Sequence, residues 1–287
     1  MRKSIISLSL AALLFLLWPA SAFAATDPGL GTAIPFSILA GDHVTNTGAT
    51  TASGEVGVSP GIGVAPFIVA LPTSSTGAQH VQDAVALSAE NALTTAYNNS
   101  LPGTQPCPAL NDFTNVDLGA GRTLVPGVYC QNNEPVTGMS GTLTLNGSGI
   151  YIFQEGSGLI TASGTTISLI GGAQPCQVFW QVSSSATIGT NTAFVGTIMA
   201  LTSITMQTGA TLNGRALARN GLVALDTNTI TGPTGCSGGG GGVVPGNTGV
   251  PADFGGGLPW LLVIGVGAGL AATAMGVSTR RRRRRTQ

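Results

Sequence analysis

The residues that could perform acid–base or nucleophilic chemistry are few and widely separated. The two histidines are His43 and His80, and between residues 141 and 235 the only acids are Glu155 and Asp226. Hydrolases and lyases need clustered carboxylates, or a serine, histidine and aspartate held together. The spacing here favours neither, so the sequence predicts no catalytic residues, no cofactor and no enzyme.

Four cysteines are the remaining reactive side chains: Cys107, Cys130, Cys176 and Cys236. They form no Cys-x-x-Cys motif and no Cys/His cluster, so no metal site is predicted. In an exported protein such cysteines persist as disulfides. Two disulfides are therefore expected, and the sequence alone leaves all three pairings open.

Both ends of the chain carry targeting features. Residues 1–24 combine a basic start, an apolar run and a final Ala-Phe-Ala, which is typical of a cleaved signal peptide; an uncleaved anchor is the alternative. Residues 258–279 are uncharged and long enough to span a membrane as a helix. The arginine-rich tail, residues 280–287, is expected in the cytoplasm, which leaves everything upstream outside the cell membrane.

Charge is distributed very unevenly along the chain. Between the signal peptide and the apolar span lie three arginines, eleven acids and no lysine, a net charge of −8. An acidic surface of this kind argues against nucleic-acid partners and anionic lipids. The arginine cluster at the C-terminus is better explained by membrane topology than by nucleic-acid binding.

One folded domain is expected between the two ends, over residues 25–236. Residues 237–257 are rich in glycine and read as a flexible linker. A helix is predicted over residues 77–98, where Val81, Val85, Ala89, Leu93 and Ala96 recur at helical spacing. The rest consists of short runs of β-branched and aromatic residues separated by Gly, Asn and Ser turns.

An 18-residue repeat decides between a β-sandwich and a solenoid. When Thr190, Thr208 and Asp226 are placed in one column, three apolar residues and three glycines also align. They are Phe194, Leu212 and Ile230, and Gly196, Gly214 and Gly232. Such a fixed period is typical of a solenoid whose coils bury residues against their neighbours. Outward residues would then form ladders of small, uncharged side chains, rich in threonine.

At these residues the chain resembles the microbial ice-binding protein family. The stretches that carry the resemblance are "TNTGATTASGEVGVSPG", "CQVFWQV", "SATIGTNTAFVGTIMALTSITM" and "GATLNGRALARNG". It implies a right-handed, three-faced β-solenoid with one long helix alongside and a cap over residues 99–135. It also implies that the N-terminal strands, residues 32–60, lie beside the C-terminal coil, with pairs Cys107–Cys130 and Cys176–Cys236.

The resemblance further implies that a flat face of Thr-Gly/Ala-x-Thr/Asn quartets binds ice. The matching residues are Thr47, Thr50, Ser163, Thr166, Thr190, Thr192, Thr208, Thr211, Asn228 and Thr229. Asp226 departs from the pattern, because it places a carboxylate where the aligned Thr190 and Thr208 have a hydroxyl. This matters because a strongly hydrated carboxylate disturbs ice-like water. The expected protein is a monomeric ectodomain, tethered by residues 258–279, whose partner is ice; a surface adhesin or structural protein on the same scaffold is the alternative.

Overall fold

The computed structural model describes residues 24–61, 74–75, 77–131 and 138–232. These form a mostly β domain with one α-helix, as expected, and every strand pairing among them is parallel. Parallel strands stack in three series, which we call face A, face B and face C. The arrangement is that of a solenoid.

Face A contains, in stacking order, β7 (Arg122–Leu124), β9 (Thr142–Asn146), β12 (Thr166–Ile170), β15 (Ala193–Ala200), β17 (Thr211–Ala218), β19 (Thr229–Thr231), β3 (Thr51–Ser53) and β5 (Ser74–Ser75). Face B contains β8 (Gly127–Gln131), β10 (Tyr151–Glu155), β13 (Val178–Val182), the second halves of β15 and β17, β1 (Phe36–Ala40), β4 (Glu55–Val58) and β6 (Gln79–Val81). Face C contains β11 (Leu159–Ile160), β14 (Ala186–Ile188), β16 (Ile204–Met206), β18 (Val223–Asp226) and β2 (Val44–Thr47).

The stacking order departs from the chain order at one place. The N-terminal strands β1, β2 and β3 pair directly with β17, β18 and β19, at the C-terminal end of the described chain. This confirms the expectation that the N-terminal strands lie beside the C-terminal coil, and the pairing shows that they continue the stack beyond it. Right-handedness remains an expectation from the resemblance.

An aromatic stack fills part of the solenoid interior. The rings of Tyr129, Phe153, Trp180 and Phe194 come from successive coils, and the Phe153 and Trp180 centroids lie 4.0 Å apart. The indole nitrogen of Trp180 donates to the carbonyl of Val195 at 2.9 Å, which satisfies its buried N–H. Each coil is therefore held to the next by buried apolar contacts as well as by main-chain hydrogen bonds.

The helix, α1, runs from Ala84 to Asn99 and begins later than predicted. Gln79–Val81 instead form strand β6 on β4, and Asp83 accepts a hydrogen bond from the Ala86 N–H at 2.8 Å as the N-cap. Pairing with β4 satisfies the backbone hydrogen-bonding groups of residues 79–81. These residues therefore form a strand, although their sequence follows the helical spacing of apolar residues. Val85, expected on the buried stripe, is 47% exposed.

Helix α1 covers the outer side of face B. Its buried residues Ala89, Leu93 and Ala96 belong to one apolar cluster with Phe179 and Leu217 of face B. Arg219 takes part in this interface, where its guanidinium lies over the Tyr97 ring, whereas Arg215 is 7% exposed and donates to the Ile34 carbonyl, ahead of strand β1.

The predicted cap is only partly irregular. Residues 100–121 contain one short 3-10 helix, Ala109–Asn111, whereas β7 and β8, inside the predicted range 99–135, are ordinary strands of faces A and B. The disulfide Cys107–Cys130 is present, as predicted. It ties the irregular segment to face B.

Several sequence predictions concern residues that the structure does not describe. They include most of the signal peptide (residues 1–23), Cys236 of the pair Cys176–Cys236, the linker, the apolar span 258–279 and the arginine tail. Within the described part of the chain, no helix is long and apolar enough to cross a membrane. The tethering predictions therefore remain predictions.

Candidate functional site

Face A presents a straight outer column of small residues. From Thr142 to Thr51, the paired positions in this column are Thr142, Thr166, Ala193, Thr211, Thr229 and Thr51. All are exposed or half-buried, whereas the next residue in each strand, such as Leu212 or Ile230, is buried. Alternation along each strand and parallel pairing between strands thus place a side chain about every 4.7–4.9 Å along the stack.

A second outer column runs parallel to the first on face A. It consists of Thr123, Thr144 and Ser168 on one side of β15, and of Asn213, Thr231 and Ser53 on the other. Between them lies Val195, which is 9% exposed. The face therefore combines hydroxyl, methyl and amide groups, with an apolar step at Ala193 and Val195 of β15.

A corner joins face C to face A in each coil. Its first column is Ser163, Thr190, Thr208, Asp226 and Thr47, exposed or half-buried; its second is Gly164, Asn191, Gly209, Thr227 and Gly48, which all have positive φ. The N–H of a second-column residue donates to the carbonyl of a first-column residue in the next coil, as from Asn191 to Thr208 at 3.1 Å. The corner is therefore a stack of identical left-handed turns.

Three residues assigned to the outer surface by sequence are buried. Thr50, Thr192 and Asn228 are 0–1% exposed, so they cannot contact an external ligand and this part of the prediction was wrong. The left-handed residue that precedes Thr192 and Asn228 turns the chain, so that the next side chain points into the solenoid. The other seven predicted residues lie on the corner or on the first column of face A.

Several polar groups of the corner are hydrogen-bonded to other protein groups. Thr208 donates to the carboxylate of Asp226, and Thr227 donates to the same carboxylate at 3.0 Å. Gln207 Oε1 accepts from the N–H of Thr190 at 3.2 Å. Asp226 is thus held by neighbouring hydroxyls, and its charge lies at the edge of face A rather than within it.

Charge is nearly absent from face A. Within the described part of its strands, the outer columns contain no charged residue; Arg122 belongs to the terminal strand β7 but pairs with the buried Leu143, outside these columns. Its guanidinium lies over the Phe113 ring, and its Nε donates to the Asp117 carbonyl at 2.7 Å. A surface of this kind orders water through spaced methyl and hydroxyl groups without strong ionic hydration.

Face C carries a shorter outer column. Ile160, Thr187, Thr205, Ala224 and Thr45 are paired along it. A shallow depression of about 490 Å³ lies between this column and the corner, and its lining includes Thr205, Thr208 and Asp226. Face C is thus less flat than face A at this point, and face B is covered by helix α1.

Sequence reasoning missed part of face A: Thr142, Thr51, Asn213, Thr231 and Ser53 among others. The 18-residue offset relates only Ala193, Thr211 and Thr229, because the steps from Thr142 to Thr166 and on to Ala193 are longer. Thr51 enters the column from the other end of the chain. An alternating strand pattern marks the outward residues, but only the observed pairing aligns them.

Within the described residues, no group of three or more His, Cys, Asp and Glu side chains is placed to hold a metal ion.

Comparison with known proteins agrees with the geometry of the faces. Residues 38–231 match the family model described as Ice-binding-like. The "Ice-binding protein" of Nostoc sp. (strain HG1) is 42% identical over 235 residues, covering 80% of this chain and 82% of that protein. The "Ice-binding protein" of Flavobacterium frigoris (strain PS1) is 33% identical over 215 residues, covering 71% and 76%.

Solved structures show the same similarity. An ice binding protein from an Antarctic Biological Consortium is 39% identical, with a TM-score of 0.63, and the match covers 75% of this chain and 95% of that one. A glycosylated ice-binding protein from Arctic yeast is 27% identical, with a TM-score of 0.65 and coverage of 79% and 99%.

Proposed function

Because this chain belongs to the Ice-binding-like family, we propose that it adsorbs to ice through face A and the adjoining corner. The observation that carries the proposal is the outer column of face A: of the six paired positions from Thr142 to Thr51, five are threonine and the sixth is Ala193. A periodic, nearly uncharged surface is what an ordered solid such as ice can match.

Adsorption would result from many weak contacts acting together. The threonine methyl groups favour ordered water around them, and the hydroxyl groups and exposed amides such as Asn213 hold that water in place. Rigidity is essential, because a mobile surface would lose order on binding. Parallel pairing, the aromatic stack and helix α1 supply that rigidity.

The first experiment measures thermal hysteresis and ice recrystallisation with the purified full chain in a mild detergent. The controls are detergent alone and the same protein after heat unfolding. Hysteresis and small ice crystals only with the folded protein would support the proposal. A well-folded protein that affects neither would contradict it and would favour the adhesin alternative.

We further propose that the domain acts as a monomer outside the cell, tethered by residues 258–279, and that it attaches the cell to ice or protects its surface. The sequence supports this through the signal-like start, the glycine-rich linker and the arginines that follow the apolar span. Membrane fractionation of the full chain and of a chain ending at residue 257 tests the tether. The tether predicts that only the full chain stays with carbonate-washed membranes, and equal release of both would contradict it.

A further inference from the structure

A line of buried polar residues runs beneath the corner, along the stack of coils. We call it the polar spine: Thr165, Thr192, Asn228 and Thr50, each 0–1% exposed, with Ala210 in the remaining coil. Burial of hydroxyl and amide groups is unfavourable unless they are hydrogen-bonded. Apolar side chains could fill the same positions without the unfavourable free energy of burying a polar group. The presence of polar residues there therefore requires a structural explanation.

Each polar member of the spine is hydrogen-bonded to the coil before it in the stack. Thr165 donates to the Met139 carbonyl at 3.1 Å, and Thr192 donates to the Ala162 carbonyl at 3.1 Å. The hydroxyl of Thr50 accepts from the N–H of Asn228 at 3.0 Å. These bonds lie across the coil boundary and add to the main-chain hydrogen bonds there, such as that from the Ala162 N–H to the Met139 carbonyl.

Asn228 makes the most extensive set of these bonds. Its Nδ2 donates to the carbonyls of Gln207 and Ala210 at 2.9 and 3.1 Å, and its Oδ1 accepts from the N–H of Asp226 at 2.7 Å. The preceding coil has the small, apolar Ala210 at the spine position, which has no side-chain hydrogen bond to offer. The longer amide side chain of Asn228 reaches the carbonyls there instead.

The spine also adjoins the first outer column of face A. Thr166, Ala193, Thr211, Thr229 and Thr51 each directly follow a spine position in sequence. The main-chain carbonyls of Thr165, Thr192 and Asn228 accept hydrogen bonds from the N–H groups of Ala193, Thr211 and Thr51 at 2.8–2.9 Å. A shift in the spine therefore moves the outer column directly.

We infer that Thr192 and Asn228 are positioning residues, whose buried hydrogen bonds hold the corner and the first column of face A at the spacing that ice binding requires. This inference rests on the proposed function for its purpose, and on the geometry alone for its structural part. Neither residue can touch ice, since both are buried. Their effect must pass through the adjoining exposed residues.

The test compares Thr192→Val with Thr197→Val in the full chain, in detergent. Both threonines are 0–1% exposed, and both substitutions remove a hydroxyl at nearly constant volume. Thr197 lies on face B, away from the corner, where its hydroxyl is 3.5 Å from a guanidinium nitrogen of Arg215. Asn228→Ala removes more spine hydrogen bonds than Thr192→Val does. If Asn228→Ala does not fold, Thr192→Val alone provides the test.

Amide hydrogen exchange is the readout that does not depend on ice. We expect the N–H groups of Asn191, Gly209 and Thr227 to exchange about tenfold faster in the spine variants, with face B unchanged. Thr197→Val should leave those corner amides protected. Unchanged corner exchange in Thr192→Val would overturn the positioning role, whatever the wild-type chain does with ice.

Thermal hysteresis then tests the purpose of the spine, at a temperature where all variants remain folded. We expect it to fall in Thr192→Val and to be retained in Thr197→Val. Faster corner exchange with full hysteresis would overturn the link between spine and ice face. An equal loss of hysteresis in Thr192→Val and Thr197→Val would also overturn the link between the spine and the ice face. A wild-type protein with no hysteresis would contradict the proposed function itself.

Discussion

Thr208 and Asp226 occupy corresponding corner positions of adjacent coils, and the Thr208 hydroxyl donates a hydrogen bond to the Asp226 carboxylate. This bond keeps the single acid of the corner at the edge of face A. From the sequence, a carboxylate in this column was expected to disturb ordered water. In the structure its hydration is partly replaced by two threonine hydroxyls.

Replacing Asp226 with asparagine should raise thermal hysteresis. The variant keeps one acceptor oxygen but removes the charge, so water at the edge of the face is less strongly bound by an ion. Stability should change by no more than about 0.5 kcal/mol. Asp42→Asn, an exposed acid outside face A, is the control; an equal gain in both variants would mean that net charge, rather than position, limits activity.

Thr227→Gly should stabilise the fold. Thr227 has φ 52°, a left-handed conformation that is unfavourable for a β-branched residue and ordinary for glycine. Relief of this strain exceeds the entropic cost of glycine and the loss of the exposed hydrogen bond to Asp226, with a net gain of up to about 1 kcal/mol, or roughly 2–4 °C in the melting temperature. Thr231→Gly, in strand β19, should lower the melting temperature, and a matching loss in Thr227→Gly would disprove the strain.

Stability should fall as the pH rises from about 5 to 9. Burial raises the pKa of Glu90 to about 9, against the opposing charge of Arg219, and burial raises the pKa of Glu155 to about 8. In this range the unfolded chain has lost these protons and the folded chain still holds them. Folding is therefore progressively less favourable until the pH passes the folded-state pKa values.

Chemical unfolding at several pH values checks this prediction. Each carboxyl group removes up to about 1.4 kcal/mol per pH unit between its unfolded and folded pKa values. The double variant Glu90→Gln/Glu155→Gln should show a flatter profile than the wild type over the same range. Parallel profiles for the two proteins would show that neither carboxyl is protonated in the folded state.

Removal of the disulfide Cys107–Cys130 should weaken the cap. The two cysteines are 23 residues apart, and closing a loop of this length stabilises a fold by about 3 kcal/mol. Cys107→Ser/Cys130→Ser leaves Cys176 and Cys236 unchanged, so unfolding of this variant measures one crosslink, which a reducing agent would not. A free energy of unfolding equal to that of the wild type would mean that the cap is held by its other contacts.

The sequence carried enough information for a mostly β solenoid with one helix and for three positions of the first column of face A, Thr166, Thr211 and Thr229. The 18-residue offset of Ala193, Thr211 and Thr229 reflects coils of equal length, and this regularity is visible in one dimension. Thr142 and Thr51 escaped prediction because loops of other lengths, and the return of the N-terminal strands, separate them from that repeat.

The direction of individual side chains was harder to predict. Thr192 and Asn228 are polar residues in a threonine-rich repeat, and polarity suggested exposure. Their burial depends on the left-handed residue before each of them, Asn191 and Thr227. Asparagine adopts this conformation more often than most residues, but threonine does so rarely, so the type of residue 227 gave no sign of the turn. The start of helix α1 was misplaced for a related reason, since β4 offers Gln79–Val81 a strand partner that lies far away in sequence.

The central claim is that face A, rather than face C, meets ice. Thr211 and Thr205 are outward threonines on the same coil, one on each face, and tyrosine can replace either with its side chain in solvent. Thermal hysteresis of Thr211→Tyr and Thr205→Tyr, at matched melting temperatures, tests the claim most directly. We predict that Thr211→Tyr loses most of the activity and that Thr205→Tyr retains it; the reverse result would place the ice-binding surface on face C and contradict this account.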